Sequence, residues 1–154
     1  MSLSVKYSEH RFSKVMLSSR AKLAGRVRAG EIMQMLYNAA HKVAQKHAGS
    51  DVTAVRVEEL LFLKPLHYGS LVTGHAFITF VGNTSMEVKV NLYLEDLVDA
   101  SPLLTSSFVM VALDDNQQPK QVPALELSND QEKERFDAGK QHYQQHRLGG
   151  SKPQ

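Results

Sequence analysis

The stretch Gly30-Glu31-Ile32-Met33-Gln34-Met35-Leu36-Tyr37-Asn38-Ala39-Ala40-His41-Lys42-Val43-Ala44-Gln45-Lys46-His47-Ala48 decides the fold. Ile32, Met35, Leu36, Ala39, Ala40, Val43 and Ala44 recur at steps of three and four, which place side chains on one face of a helix. At about 1.5 Å per residue the segment spans roughly 28 Å, the width of a small domain. The alanines at its centre let its backbone approach closely whatever it packs against. Gly49 predicts a left-handed stop after the last turn, where Lys46 and His47 complement the helix dipole. No other stretch is a comparably apolar helix, so a single helix must be covered by what the rest of the chain supplies.

The rest reads as strand. Upstream, Phe12, Val15 and Leu17 predict a short first strand, preceded by polar residues expected to be loosely held. Downstream, Asp51 to Leu63 alternates imperfectly through Val55, Val57 and Leu61. Its end, Leu60-Leu61-Phe62-Leu63, predicts burial on both faces. Pro65 and Gly69 mark a turn, Leu71 to Val81 a second strand, and Gly82-Asn83-Thr84 the next turn. The following strand alternates strictly. Met86, Val88, Val90, Leu92 and Leu94 are expected on one face, with Glu87, Lys89, Asn91, Tyr93 and Glu95 on the other. After a loop from Asp96 to Pro102, Thr105 to Leu113 is a further strand, closed by a polar turn before Pro119. Ser128 and Gln131 make a capping-box pattern opening a polar helix at about 129–147, anchored through Phe136 and Tyr143.

A lone amphipathic helix needs one large apolar surface, which a single curved antiparallel sheet supplies. The expected class is α+β, one long central helix wrapped by that sheet. The chain divides into a polar N-terminal segment (1–11), a folded body (12–125) and a polar C-terminal helix and tail (126–154). Apolar side chains left on the sheet predict pairing of copies through sheet edges.

Composition narrows the function. The 154 residues suffice for one domain with a real core, and 42% apolar with 22% charged residues is ordinary for a globular chain. A net charge of +2 is too small to argue for nucleic acid. The absence of cysteine removes disulfides, thiolate metal sites and a cysteine nucleophile together, and fits a reducing compartment. No apolar run approaches the ~20 residues of a membrane span. The N-terminus, with Lys6, Glu9, His10 and Arg11, lacks the apolar stretch of a secretory signal. A cytoplasmic protein with neither nucleic-acid nor membrane partner is the expectation. His142 and His146 share a helix face without a third ligand nearby in sequence, so no metal site is assigned. A Gly-x-Ser-x-Gly elbow for a serine nucleophile is missing. Arg20, Lys22, Arg26 and Arg28 precede the helix N-terminus, where unpaired N–H groups attract anions. They read either as a solvated basic loop or as a phosphate-binding edge.

Several strings together carry a likeness. Ala24-Gly25, then Gly30 to Met35 with Ala39-Ala40, resembles the central helix of the hotdog-fold acyl-CoA thioesterases. Val52 to Val57, Phe62-Leu63-Lys64-Pro65 and Gly69 resemble the strand and turn that follow it. Gly82 to Val88 and Phe108 to Asp114, through Pro119 to Val122-Pro123, complete an ordered set over about residues 12–125. The resemblance implies a hotdog homodimer, often assembled as a trimer of dimers. It would hydrolyse an acyl-CoA thioester by direct attack of water, with coenzyme A as part of the substrate and no separate cofactor.

The departures from the family pattern fall on the chemistry. Tyr37 and Asn38 stand where the family has an acidic pair, Lys22 where its loop has an Asn, and Arg28-Ala29-Gly30 where its helix opens with His-Gly-Gly. Gly30 keeps a backbone N–H able to polarise a thioester carbonyl. Neutral Tyr and Asn are not general bases near pH 7, although an amide orients water. The expected catalytic set is therefore Gly30 on the carbonyl oxygen, Asn38 on the water, and a base supplied either by Glu31 or by the partner subunit. Arg28, Lys22, Arg26 and Lys64 would hold the phosphates, with Tyr37, Thr84 and Ser85 beside the substrate. Each also has a bland reading: dipole complement for Glu31, core-edge packing for Tyr37, turn hydrogen bonds for Thr84 and Ser85. The second functional reading is a non-catalytic hotdog module that binds acyl-CoA or an acyl carrier. A hotdog dehydratase is a third, and it would need a His and an acid facing each other, for which His41 is poorly placed.

Overall fold

The computed structural model describes residues 1–17, 25–95 and 101–148, with side chains as far as residue 145. In chain order the elements are β1 (Ser2–Ser4), α1 (Val5–Ser8), β2 (His10–Val15), α2 (Ala29–Ala48), β3 (Asp51–Phe62), β4 (Leu71–Val81), β5 (Ser85–Leu94), β6 (Leu104–Leu113), β7 (Ala124–Glu126) and α3 (Asp130–Leu148). Five strands form one antiparallel sheet in the order β2-β4-β5-β6-β3. The strands on either side of α2 in sequence therefore lie at opposite edges of the sheet, and the helix packs across β3 to β6 between them. Register shifts at Ala54/Arg56, Val57/Glu59 and Ile78/Phe80 are bulges, which bend strands and increase their twist. This is the hotdog arrangement expected, a sheet around one central helix.

All seven apolar helix positions are buried, against Val72, Val88, Val90, Phe108 and Met110 among others. Truncating a fully buried Leu36 in such a core costs about 2–5 kcal/mol. Gly49 ends the helix in the left-handed region (φ 67°), its N–H donating to Gln45 O at 2.9 Å. Gly74 serves β2, because a Cβ there would overlap the ring of Phe12 on the neighbouring strand.

Six local expectations are corrected. The polar N-terminus is structured: β1 pairs parallel with β7, α1 buries Val5 and Ser8, and Lys46 Nζ lies 5.2 Å from the centroid of the Tyr7 ring. The apolar end of β3 is exposed, with Leu61, Phe62 and Leu63 about half accessible, because β3 is an edge strand. On β5, Glu87 is 9% exposed although it was expected on the solvent face, because α3 lies over that side of the sheet, and Thr79 Oγ1 donates to Glu87 Oε1 at 2.8 Å. Tyr93 is buried and Leu94 exposed, also against the strict alternation. The helix cap is shifted by one residue. Asn129 Oδ1 accepts the Glu132 N–H at 2.8 Å and Glu132 Oε1 accepts the Ser128 N–H at 2.8 Å, so Asn129 rather than Ser128 is the N-cap. His47, expected as a cation for the dipole, is 1% exposed and burial holds its pKa below the ordinary value. Phe136 and Tyr143 do anchor α3, with ring centroids 4.9 and 5.7 Å from Phe80. The loop expected from Asp96 falls largely outside the described residues.

Candidate active site

Two clefts flank the N-terminal half of α2. The first lies between α2 and the edge strand β2. Strand alternation sends His10, Phe12, Lys14 and Met16 to one side. Helical spacing puts Glu31, Gln34, Asn38 and Lys42 in one stripe. These residues, with Leu17, Met35 and Ala39, enclose a groove of about 440 Å³. The second cleft lies on the β3 side. Arg26, Val27, Ala29 and Ile32 face Phe62 to Leu66 across about 400 Å³. It is held by the Val27 N–H donating to Leu66 O at 2.8 Å and by the Arg26–His67 bridge.

The N-terminus of α2 opens between the clefts. Arg28 is the N-cap, with extended backbone and no side-chain cap. The Glu31 and Ile32 N–H groups donate to Arg28 O at 3.1 and 3.2 Å, which leaves those of Ala29 and Gly30 outside the intrahelical ladder. A Cβ on Gly30 would meet nothing within 4 Å, so the backbone is open to a ligand there. Glu31 follows directly. The Tyr68 O–H donates to its Oε1 at 3.0 Å, and Tyr68 is itself strapped to this end by its N–H on Gly25 O at 3.2 Å.

The sequence-predicted residues thus divide. Gly30, Glu31 and Arg28 share the helix start, while Arg26 and Lys64 share the second cleft. Asn38 lines the first cleft with Glu31, but two turns further on, about 10 Å along the axis. Tyr37 is 36% exposed and lines neither cleft; its ring lies 5.8 Å from that of His41. Ser85 pairs with Val111, which pairs with Thr53 just after the helix, so Thr84 and Ser85 lie at the C-terminal end of α2, away from Gly30. Lys22 and Arg20 lie outside the described residues. His142 Nδ1 is 3.8 Å from Glu87 Oε2 on the outer face, and the His146 side chain is outside the described set.

Sequence reasoning missed His10, Lys14, Lys42 and Tyr68. The alternation His10-Phe12-Lys14-Met16 was legible, but its place beside the Glu31-to-Lys42 stripe was not. Burial first, then the charge of Lys42, lowers the pKa of His10. Among the described residues no ion pair includes Lys14 or Lys42.

Known proteins resemble this chain in sequence and in fold. The thioesterase superfamily pattern matches residues 24–101. The cytosolic acyl coenzyme A thioester hydrolase of Mus musculus is 30% identical over 163 residues, covering 97% of this chain but 41% of the relative. The chain thus spans about two fifths of the length of that relative. An uncharacterised acyl-CoA thioester hydrolase of Zymomonas mobilis is 31% identical over 103 residues, covering 66% of this chain and 69% of the relative. The acyl-CoA hydrolase of Staphylococcus aureus, solved in complex with butyryl coenzyme A, coenzyme A and coenzyme A disulfide, superposes with a TM-score of 0.84 at 25% identity, over 96% of this chain and 92% of that one. A shared sequence pattern through the central helix, and the same path of chain around it, have one source: the chain belongs to the thioesterase superfamily.

Proposed function

We propose that this chain hydrolyses an acyl-CoA thioester, with the thioester lying across the N-terminus of α2. The observation that carries this reading is the opening of that helix end between two clefts of different character. Coenzyme A takes the β3 side, its pantetheine arm against Ile32, Phe62 and Leu63 and its phosphates on Arg26 and Lys64, with Arg28 at the rim. The acyl chain takes the groove between β2 and α2. The carbonyl oxygen sits on the Gly30 N–H, where the helix start stabilises the negative charge that develops as water adds.

Glu31, next in the chain and held by Tyr68, removes the proton from the attacking water. The C–S bond then breaks and the thiolate of coenzyme A leaves with that proton as a thiol. Asn38, two turns along α2 in the same groove, takes the acyl chain in this reading rather than the water. The reaction needs no cofactor, since coenzyme A enters with the substrate. The exposed edge of β3, with Val55, Val57 and Leu61, fits a second copy, which makes a homodimer the working unit and a trimer of dimers its larger form. Among the described residues no helix is long and apolar enough to cross a membrane. A cytoplasmic location is supported by the cysteine-free composition and by the cytosolic relative.

Release of free thiol from acyl-CoAs of increasing chain length tests this. Proline is tolerated in the first helical turn, so Gly30→Pro removes the N–H while sparing the helix. A loss of about 100-fold in kcat is expected from Gly30→Pro and from Glu31→Gln. Asn38→Ala is expected to act on KM instead. Tyr37 and Asn38, in place of the family's acidic pair, favour a second reading as a binding module. Saturable binding without thiol release would establish it, and neither binding nor release would leave the fold alone.

A further inference from the structure

The groove between β2 and α2 is not chemically uniform along its length. From Glu31 to Lys42 it runs about 16 Å along the helix, and from Met16 back to His10 about 20 Å along the strand. Phe12, Met35 and Ala39 give it apolar surface along its length, with the amides of Gln34 and Asn38 beside them. The strand register fixes its direction. Lys14 and Val15 pair with Val72 and Leu71 at the end of the sheet near the start of α2, whereas His10 pairs with Ala76 further along. The end near Gly30 carries the carboxylate of Glu31, whose Oε1 accepts from the Tyr68 O–H. The far end carries Lys42 and His10, whereas Lys14 stands nearer the helix start. The nearest acid in sequence, Glu9, is bonded to His75 and Arg11 instead. A groove that leads away from the helix start to Lys42 and His10, neither paired with a carboxylate among the described residues, is complementary to an acyl group of one kind.

We propose that this groove selects acyl groups ending in an anion, a carboxylate at the far end of a medium-length chain, bound by Lys42 and His10. A simple fatty acyl chain would place its methyl end beside the Lys42 ammonium, with which it forms no favourable contact. A ω-carboxyacyl chain lays its methylenes on Phe12, Met35 and Ala39 and brings its charge to Lys42, where charge-assisted hydrogen bonds form. Burial, together with the charge of Lys42, favours the neutral form of His10, which leaves a ring N–H free to donate to the same carboxylate. The assignment rests on the acyl chain occupying this groove, as in the reaction proposed above.

The test compares sebacoyl-CoA with decanoyl-CoA, equal in length and differing in the terminal carboxylate, with ω-hydroxydecanoyl-CoA as the uncharged polar control. Turnover is measured for all three. Equilibrium binding is measured in parallel by calorimetry with the non-hydrolysable S-alkyl thioethers of coenzyme A that end in methyl or carboxylate. Sebacoyl-CoA is expected to exceed decanoyl-CoA about tenfold in kcat/KM and in affinity, and the hydroxyl control is expected to follow decanoyl-CoA. Lys42→Met should bring the ratio towards one and Lys42→Glu should invert it, with a smaller change for His10→Phe. A ratio of one in the unsubstituted protein, or a preference that survives Lys42→Met combined with His10→Phe, overturns the assignment whatever the rates. Tight, Lys42-dependent binding of the carboxylated thioether without turnover of any acyl-CoA would retain the groove and overturn the hydrolase. Brisk turnover of decanoyl-CoA alone would do the reverse.

Discussion

His47 shows how a single side chain joins distant parts of this molecule. Its Nε2 lies 2.8 Å from Pro123 O, and a carbonyl only accepts, so the proton sits on Nε2. Nδ1 is buried without a hydrogen-bond partner among the described residues. The bond ties the last turn of α2 to the segment entering β7, which in turn pairs with β1. Burial outweighs the Pro123 bond and lowers the folded-state pKa of His47 below its ordinary 6.5. As pH falls the unfolded chain therefore takes up this proton first. The contribution of His47 to stability is full above about 6.5 and is lost as pH falls from there through the lower folded value. Burial also lowers His10 and His75, and both act in the same direction. Melting at pH 7 and pH 5 should show a lower Tm at pH 5, and His47→Gln, which keeps an N–H for Pro123 O, should reduce that difference without removing it.

At the scale of elements, α3 is the informative case. Its sequence is polar on every face, and its docking rests on a few contacts. Phe136 and Tyr143 meet Phe80, the Arg135 guanidinium lies 4.4 Å from the centroid of the Phe77 ring, and Gly139 lets the helix come down on β4. A Cβ at Gly139 would lie 2.6 Å from Phe80 Cβ and 3.2 Å from Glu87 Oε1. Gly139→Val should cost about 1–3 kcal/mol by overpacking, read from the midpoint of urea unfolding. The cap gives a sharper contrast, because the two candidate residues are adjacent. Asn129→Ala should cost about 1 kcal/mol, whereas Ser128→Ala should stay within about 0.5 kcal/mol. Ser128 contributes only its backbone N–H to the cap. The capping pattern was legible one residue out of register, since Ser-x-x-Gln and Asn-x-x-Glu overlap here and only the helix start separates them.

At the scale of the whole molecule, the open edge of β3 is the main unsatisfied feature. β3 pairs with β6 on one side only, and Val55, Val57, Leu61 and Phe62 are about half exposed along it. An exposed apolar edge strand invites pairing with another chain. Val57→Lys combined with Leu61→Lys should lower the mass measured by light scattering towards that of one chain. The same substitutions should leave the far-UV circular dichroism of the sheet in place. An unchanged mass would move the contact between copies to another surface.

Periodicity alone determined the central helix, its buried face and its stop at Gly49, because a 3.6-residue repeat of apolar residues has few other solutions. The same held for the main strands and for a sheet wrapped on one helix. The ordered strings along residues 12–125 pointed to the family, and Gly30, Glu31 and Arg28 were legible as a group because they adjoin in sequence. Tertiary structure alone decided which strand lies beside which stripe of α2. That placement put His10, Lys14 and Lys42 into one groove, set Thr84 and Ser85 at the far end of the helix, and brought Tyr68 to Glu31. It also decided that Glu87 is covered and the end of β3 is not. The physical reason is that periodicity reports which face of an element is apolar, whereas strand order and helix docking decide what that face meets, through contacts between residues far apart in the chain.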